Sequence, residues 1–168
     1  MTELLGRRAL VTGASRGIGA AIAIALAEKG ADVAITYERS TDRAAEVVEA
    51  IQAKGRRGLA IQANSANPAD VKRSVDEAAA AHGGLDILVN NAAIALYSTI
   101  ADFSVADIDA LLGVNVRAPI LAAQAAIPHL HAGGRILTIG SAGAERIVGD
   151  TGTVYFMTKS ALSRLRGA

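Results

Sequence analysis

The stretch ALVTGASRGIGAAIAIAL, residues 9–26, decides the fold. Its first part, ALVTG (9–13), reads as a buried strand that ends in a glycine turn. Ile18, Ile22 and Leu26, with small alanines between them, then form a helical stripe that Gly30 ends. Gly13, Gly17 and Gly19 lie between strand and helix in the spacing Gly-x-x-x-Gly-x-Gly. The first permits a sharp turn, the second lets backbone approach a phosphate, and the third lets the helix pack tightly on the strand. A helix that starts there offers free N–H groups and a positive dipole end to a pyrophosphate. Glycines also serve plain tight turns, but this spacing after a first strand favours dinucleotide binding.

Outward from this unit the same alternation continues. DVAITY (32–37) reads as a second strand, and Ser40 or Thr41 can cap a helix whose apolar face is Ala44, Val47, Val48 and Ile51, with Gly55 as its stop. LAIQA (59–63) is a third strand, and Asn67-Pro68 pairs an N-cap with proline at the first helical position of a helix running to about His82. Gly83-Gly84 break that helix before a fourth strand, DILVNN (86–91). A loop and a short helix are expected next, then a long helix from about Ile108 to His131 and a fifth strand, RILTIGS (135–141). Residues 142–152 read as a loop, and a last helix starts near Thr153. Continuous apolar strands separated by helices imply a parallel sheet covered on both faces. The expectation is a doubly wound, Rossmann-like α/β/α sandwich, a single dinucleotide-binding domain over residues 1–168.

Composition narrows the chemistry. Cysteine is absent, which excludes disulfides, thiol catalysis and cysteine-bound zinc. Seventeen basic against sixteen acidic residues leave a net charge of +1 with no basic patch, so no nucleic-acid partner is expected. Mean hydropathy is +0.32, yet the apolar runs are interrupted short of the roughly 18 residues a membrane span needs, and the N-terminus lacks a signal-like apolar region. No membrane association and a cytoplasmic location are expected. His82, His129 and His131 carry no metal-site signal, the last two reading as solvated ends of a helix, and Asp86 reads as structural.

Further motifs give the chain a family resemblance. TGASRGIG (12–19) resembles the cofactor motif of the short-chain dehydrogenase/reductase family, and NNAA (90–93) resembles its Asn-Asn-Ala-Gly motif. Tyr155-x-x-x-Lys159 resembles its catalytic pair, with Ser141 upstream and Asn115 on the long helix. Within the family the chain looks most like 3-oxoacyl-acyl-carrier-protein reductase-like and sugar- or alcohol-dehydrogenase-like members. Hydride transfer to a carbonyl creates an alkoxide that must be protonated. A tyrosine phenol has a pKa near 10, and a neighbouring ammonium lowers it toward the working pH. Tyr155 and Lys159, four apart on a helix, share a face. Ser141, at the carboxyl end of the fifth strand, can hydrogen-bond a substrate carbonyl. The resemblance implies that Asn115 holds a water in a proton relay through Lys159, and that Lys159 also binds the nicotinamide ribose. It further implies a cofactor-binding set of Gly13, Ser15, Arg16, Gly17, Ile18, Gly19, Arg39, Ser40, Asn64, Ser65, Asn91, Ala92, Ala93, Tyr155 and Lys159. Ala93 departs from the family's usual glycine, which is tolerable if its φ is negative.

Tyr37, rather than an acidic residue, occupies the place at the end of the second strand where NAD-specific sites hold the ribose. Arg16 and Arg39 can flank a 2′-phosphate, a task suited to guanidinium, so NADP(H) is favoured over NAD(H); Glu38 swinging in to the ribose is the alternative. The expected partner is a small carbonyl or alcohol substrate, and the resemblance implies homodimers or homotetramers. Nine residues follow Lys159, whereas the resembled fold continues with further strands, a substrate-covering loop and helix. The expectation is a fold that is C-terminally incomplete, and the competing reading is a truncated relative that binds nucleotide without turnover.

Overall fold

The structure, a computed structural model, describes residues 3–145, 149 and 151–165. Five parallel strands are β1 (Arg8–Val11), β2 (Asp32–Tyr37), β3 (Gly58–Gln62), β4 (Leu85–Asn90) and β5 (Leu130–Thr138), in the order β3-β2-β1-β4-β5. The helices are α1 (Gly17–Glu28), α2 (Thr41–Gln52), α3 (Pro68–His82), α4 (Val105–Leu112), α5 (Ala118–Ala126) and α6 (Thr153–Ala161). The order reverses beside β1, the switch point at which such sheets bind ligands beyond the strands' carboxyl ends.

One layer packs α1 and α2 on the sheet through Ala23, Ala27, Ala44, Val47 and Ile51 against Val11, Val33 and Ile35. The other packs α3 and α5 through Val71, Val75, Ala78, Ala118, Ala122 and Ala126 against Leu10, Ala34 and Leu88. Burying these aliphatic side chains contributes about 25 cal/mol per Å² of apolar surface. Asn67 caps α3 as expected, its side chain accepting from the Ala69 N–H at 2.9 Å. Ser40 takes the cap position of α2 without a side-chain cap bond.

The chain between β4 and β5 departs from expectation. No separate short helix forms over residues 91–104; Ser104 caps α4 directly, accepting from the Asp107 N–H at 3.1 Å. Helix then continues from Val105 to His129, through a π-turn at Gly113–Arg117 and a final 3-10 turn at Ile127–His129. By length and average composition alone this stretch could cross a membrane, but Asn115 and Arg117 interrupt its apolar run, as the sequence reading has it. Half of it is buried against the sheet and α3. β5 begins at Leu130, not Arg135, and ends at Thr138. Leu130 pairs with Leu85 and Arg135 with Ile87, so a bulge containing Gly133 (φ +83°) takes up the extra residues. His131 therefore lies in a strand, and His129 Nε2 meets Asp76 Oδ1 at 2.8 Å rather than only solvent.

At the amino end of the sheet Asp86 is structural, as expected: Arg7 and Arg8 hold its carboxylate at 3.0 and 2.7 Å. Asp32 is held likewise by Arg56 and Arg57.

Candidate active site

The turn from β1 to α1 is built from close backbone approaches. Gly13 has φ +63°, and a Cβ there would lie 2.8 Å from the Ala92 Cα. A Cβ on Gly19 would lie 2.9 Å from the Ala14 Cα, so only glycine lets α1 start this near the strand. At Gly17, by contrast, the space outside the backbone is open. No side chain caps α1 and no acidic residue occupies its first turn. The positive end of the helix is left facing the cleft.

The walls of the turn are hydrogen-bonded to the next strands. Thr36 Oγ1 accepts from the Gly13 N–H at 2.9 Å. Asn91 Nδ2 donates to the Thr12 and Gly13 carbonyls at 2.8 and 3.1 Å, and the Asn91 and Ala92 N–H groups donate to Thr12 Oγ1. The Asn91 amide therefore braces the glycine turn. Ala93 is not at positive φ, which removes the objection to its side chain.

One cleft brings together Gly13, Ser15, Arg16, Gly17, Ile18, Gly19, Arg39, Ser40, Asn64, Ser65, Asn91, Ala92 and Ala93. Arg39 is 88% exposed and pairs with Glu38 at 3.3 Å. Exposed pairs of this kind contribute about 0–1 kcal/mol, so an incoming anion can displace Glu38. Asn64 Oδ1 accepts from the Ala66 N–H at 2.8 Å. Sequence reasoning missed Arg43, which also lines the cleft from the first turn of α2. Its signal was its place three residues after Ser40, one helical turn along.

The second half of the site gathers on α6. Tyr155 is half-buried, and burial together with the neighbouring Tyr97 holds its phenol above the ordinary value, while the Ser141 hydroxyl works the other way. Ser141 Oγ accepts from the Gly143 N–H at 3.3 Å. Lys159 is buried, its ammonium donating to the Ile139 carbonyl at 3.0 Å, and burial lowers its pKa. Burial of the phenol is the largest influence on its pKa, and it acts opposite to the influence expected of the Lys159 ammonium.

Asn115 lies on the π-turn, a local widening that frequently marks functional sites. Its Oδ1 accepts from the Ile94 N–H at 2.9 Å, and its Nδ2 donates to the Ile94 carbonyl at 2.8 Å and to Thr158 Oγ1 at 3.0 Å. Thr158 in turn donates to the Tyr155 carbonyl at 2.6 Å. Both amide hydrogens are engaged, so the side chain clamps the 94 segment to α6. Among the described residues no cluster of three or more histidine or acidic side chains is arranged to hold a metal.

A family model described as short chain dehydrogenase matches residues 7–167. A short-chain dehydrogenase from Burkholderia cenocepacia, solved with NADP, is 57% identical with a TM-score of 0.93, over 95% of this chain and 65% of that one. An uncharacterised oxidoreductase of Methylorubrum extorquens is 41% identical over 99% of this chain and 67% of its own length. A hydroxynaphthalene reductase of Aspergillus fumigatus is 40% identical over 84% of this chain and 52% of its own. The chain thus spans about two thirds or less of the relatives it matches. The family match across the chain, on a sheet with this order and a glycine turn at its switch point, makes it a member of the short-chain dehydrogenase/reductase family.

Proposed function

We propose that this chain carries the cofactor-binding and proton-donating residues of a reductase that moves a hydride between NADP(H) and a small carbonyl or alcohol substrate. The observation that carries the reading is one open cleft at the switch point, with an uncapped helix N-terminus and three arginines, Arg16, Arg39 and Arg43, on its wall. The residues present fit a dinucleotide: Gly17 and the first turn of α1 suit the pyrophosphate, and the arginines suit a 2′-phosphate. Asn64 and Ser65, on the wall of the same cleft, would meet the adenine, and the family resemblance assigns Lys159 to the nicotinamide ribose. The NADP named for the Burkholderia relative supports the same assignment. When bound, the reduced cofactor supplies a hydride to a carbonyl carbon.

Tyr155 holds the proton that the substrate oxygen needs, since a tyrosine phenol is protonated at neutral pH. Ser141 orients the carbonyl oxygen. Asn115 and Thr158 keep α6 in register with the 94 segment, so the phenol stays aimed at one place. Two copies of the chain pair through the outward face of the helix from Val105 to His129, where Leu112, Ile120 and Ile127 are exposed. The test is Tyr155→Phe, assayed by NADPH oxidation on a panel of small ketones. Turnover should disappear while NADPH binding persists; retention of more than a few per cent of the rate removes Tyr155 from the acid role. Binding of NADPH without turnover in the unchanged chain supports the nucleotide-binding reading instead.

A further inference from the structure

The chain contains only five aromatic residues, three Tyr and two Phe. Three of them meet around the proposed proton donor. The Tyr97 ring lies 5.8 Å from the Tyr155 ring at 53°, and Phe156 lies 5.2 Å from Tyr155 on an edge. Phe156 and Tyr155 are half-buried, but Tyr97 keeps 61% of its surface exposed. A tyrosine recruited only for packing would bury more of its ring.

Tyr97 is also held in place. On one side Asn115 grips both backbone groups of Ile94. On the other, the Ser98 N–H donates to the Thr151 carbonyl at 2.8 Å, just before α6. The short segment between these ties presents an exposed ring beside the phenol. Whatever carbonyl Tyr155 protonates must bring its substituents to this border.

We propose that Tyr97 is a specificity-determining residue whose exposed ring stacks on an aryl group attached to the substrate carbonyl, so that the chain takes aryl ketones in preference to saturated ones. The inference rests on the reading of Tyr155 as proton donor. A flat ring gains offset-stacked or edge contacts that a puckered saturated ring of the same carbon skeleton cannot make.

The experiment compares acetophenone with methyl cyclohexyl ketone on the full chain. Dissociation constants are measured by ligand-observed NMR, with and without NADPH, and kcat/KM wherever turnover is present. The unchanged chain should favour acetophenone by about two- to tenfold, the range that aromatic pairing supplies. Tyr97→Phe should keep that preference and Tyr97→Ala should erase it, with melting temperature checked for each. An aryl preference in binding that depends on Tyr97, without turnover, overturns the proposed reaction but upholds the stacking site. A preference unchanged in Tyr97→Ala, no ketone binding at millimolar concentration in either condition, or a Tyr97→Ala defect confined to NADPH binding overturns the inference.

Discussion

The ring of Phe156 occupies the space that a side chain on Gly143 would need, and its opposite edge does the same at Gly152. The glycines bracket the loop between Ser141 and α6, and one ring fills both gaps. Ser160 adds a second tie, its hydroxyl donating to the Ala144 carbonyl at 2.7 Å. The turn that carries Ser141 is therefore positioned by α6, the helix that carries Tyr155. Gly143→Ala should force the ring aside and cost about 1–3 kcal/mol, as overpacking does. In a chain of this size that lowers Tm by about 2–4 °C per kcal/mol. Adding Phe156→Leu should recover most of the loss. A double variant no more stable than the single one means the ring is not what Gly143 accommodates.

His82 gives the stability a pH dependence with a definite sign. Its ring is buried at the end of α3. Burial first, then the Arg57 and Arg8 charges, depress its pKa, while Asp32 and the Val33 carbonyl oppose them. The unfolded chain therefore binds a proton that the folded chain refuses. The contribution is present above the unfolded value near 6.5 and is lost as pH falls through the lower folded value. Denaturant midpoints should fall between pH 7 and pH 5, and His82→Leu should flatten that slope. An equal slope in both proteins would place its origin elsewhere.

Cofactor choice follows from Arg39. If its guanidinium leaves Glu38 for a 2′-phosphate, Arg39→Ala removes a charge-assisted contact of about 1.5–3 kcal/mol. NADPH should then bind about tenfold more weakly or worse, with NADH unchanged. Calorimetric titration of both nucleotides settles it. Equal affinity for both in the unchanged chain would refute the phosphate assignment.

Assembly should depend on the outward face of α4 and α5. Leu112, Val116 and Ile120 line one concavity there, and Ile120 is 42% exposed. A charge placed in an apolar contact stays unpaired and costly. Sedimentation should show a dimer or larger species at micromolar concentration, and Ile120→Glu should shift it to monomer. A clean monomer of the unchanged chain counts against pairing.

Much of the fold was legible in residue order. Apolar runs bounded by glycine mark all five strands, and Asn67-Pro68 marks the start of α3, because turn and cap chemistry is local. The glycine turn was equally plain, since its spacing encodes where backbones must touch. β5 was placed too short because the bulge at Gly133 depends on pairing with β4, which sequence neighbours do not report.

The site divides the same way. Residue types and spacing alone singled out Tyr155, Lys159, Ser141 and the glycine turn as candidates on a parallel α/β sheet. Only the tertiary structure decided how they are set. Burial raises the Tyr155 pKa, and the Asn115 amide engages Ile94 and Thr158. Arg43 joins Arg16 and Arg39 on one wall, and Tyr97 comes to rest beside Tyr155 from 58 residues away. Charge, dielectric and contact between distant residues depend on the packing of the whole chain, and no local pattern records them.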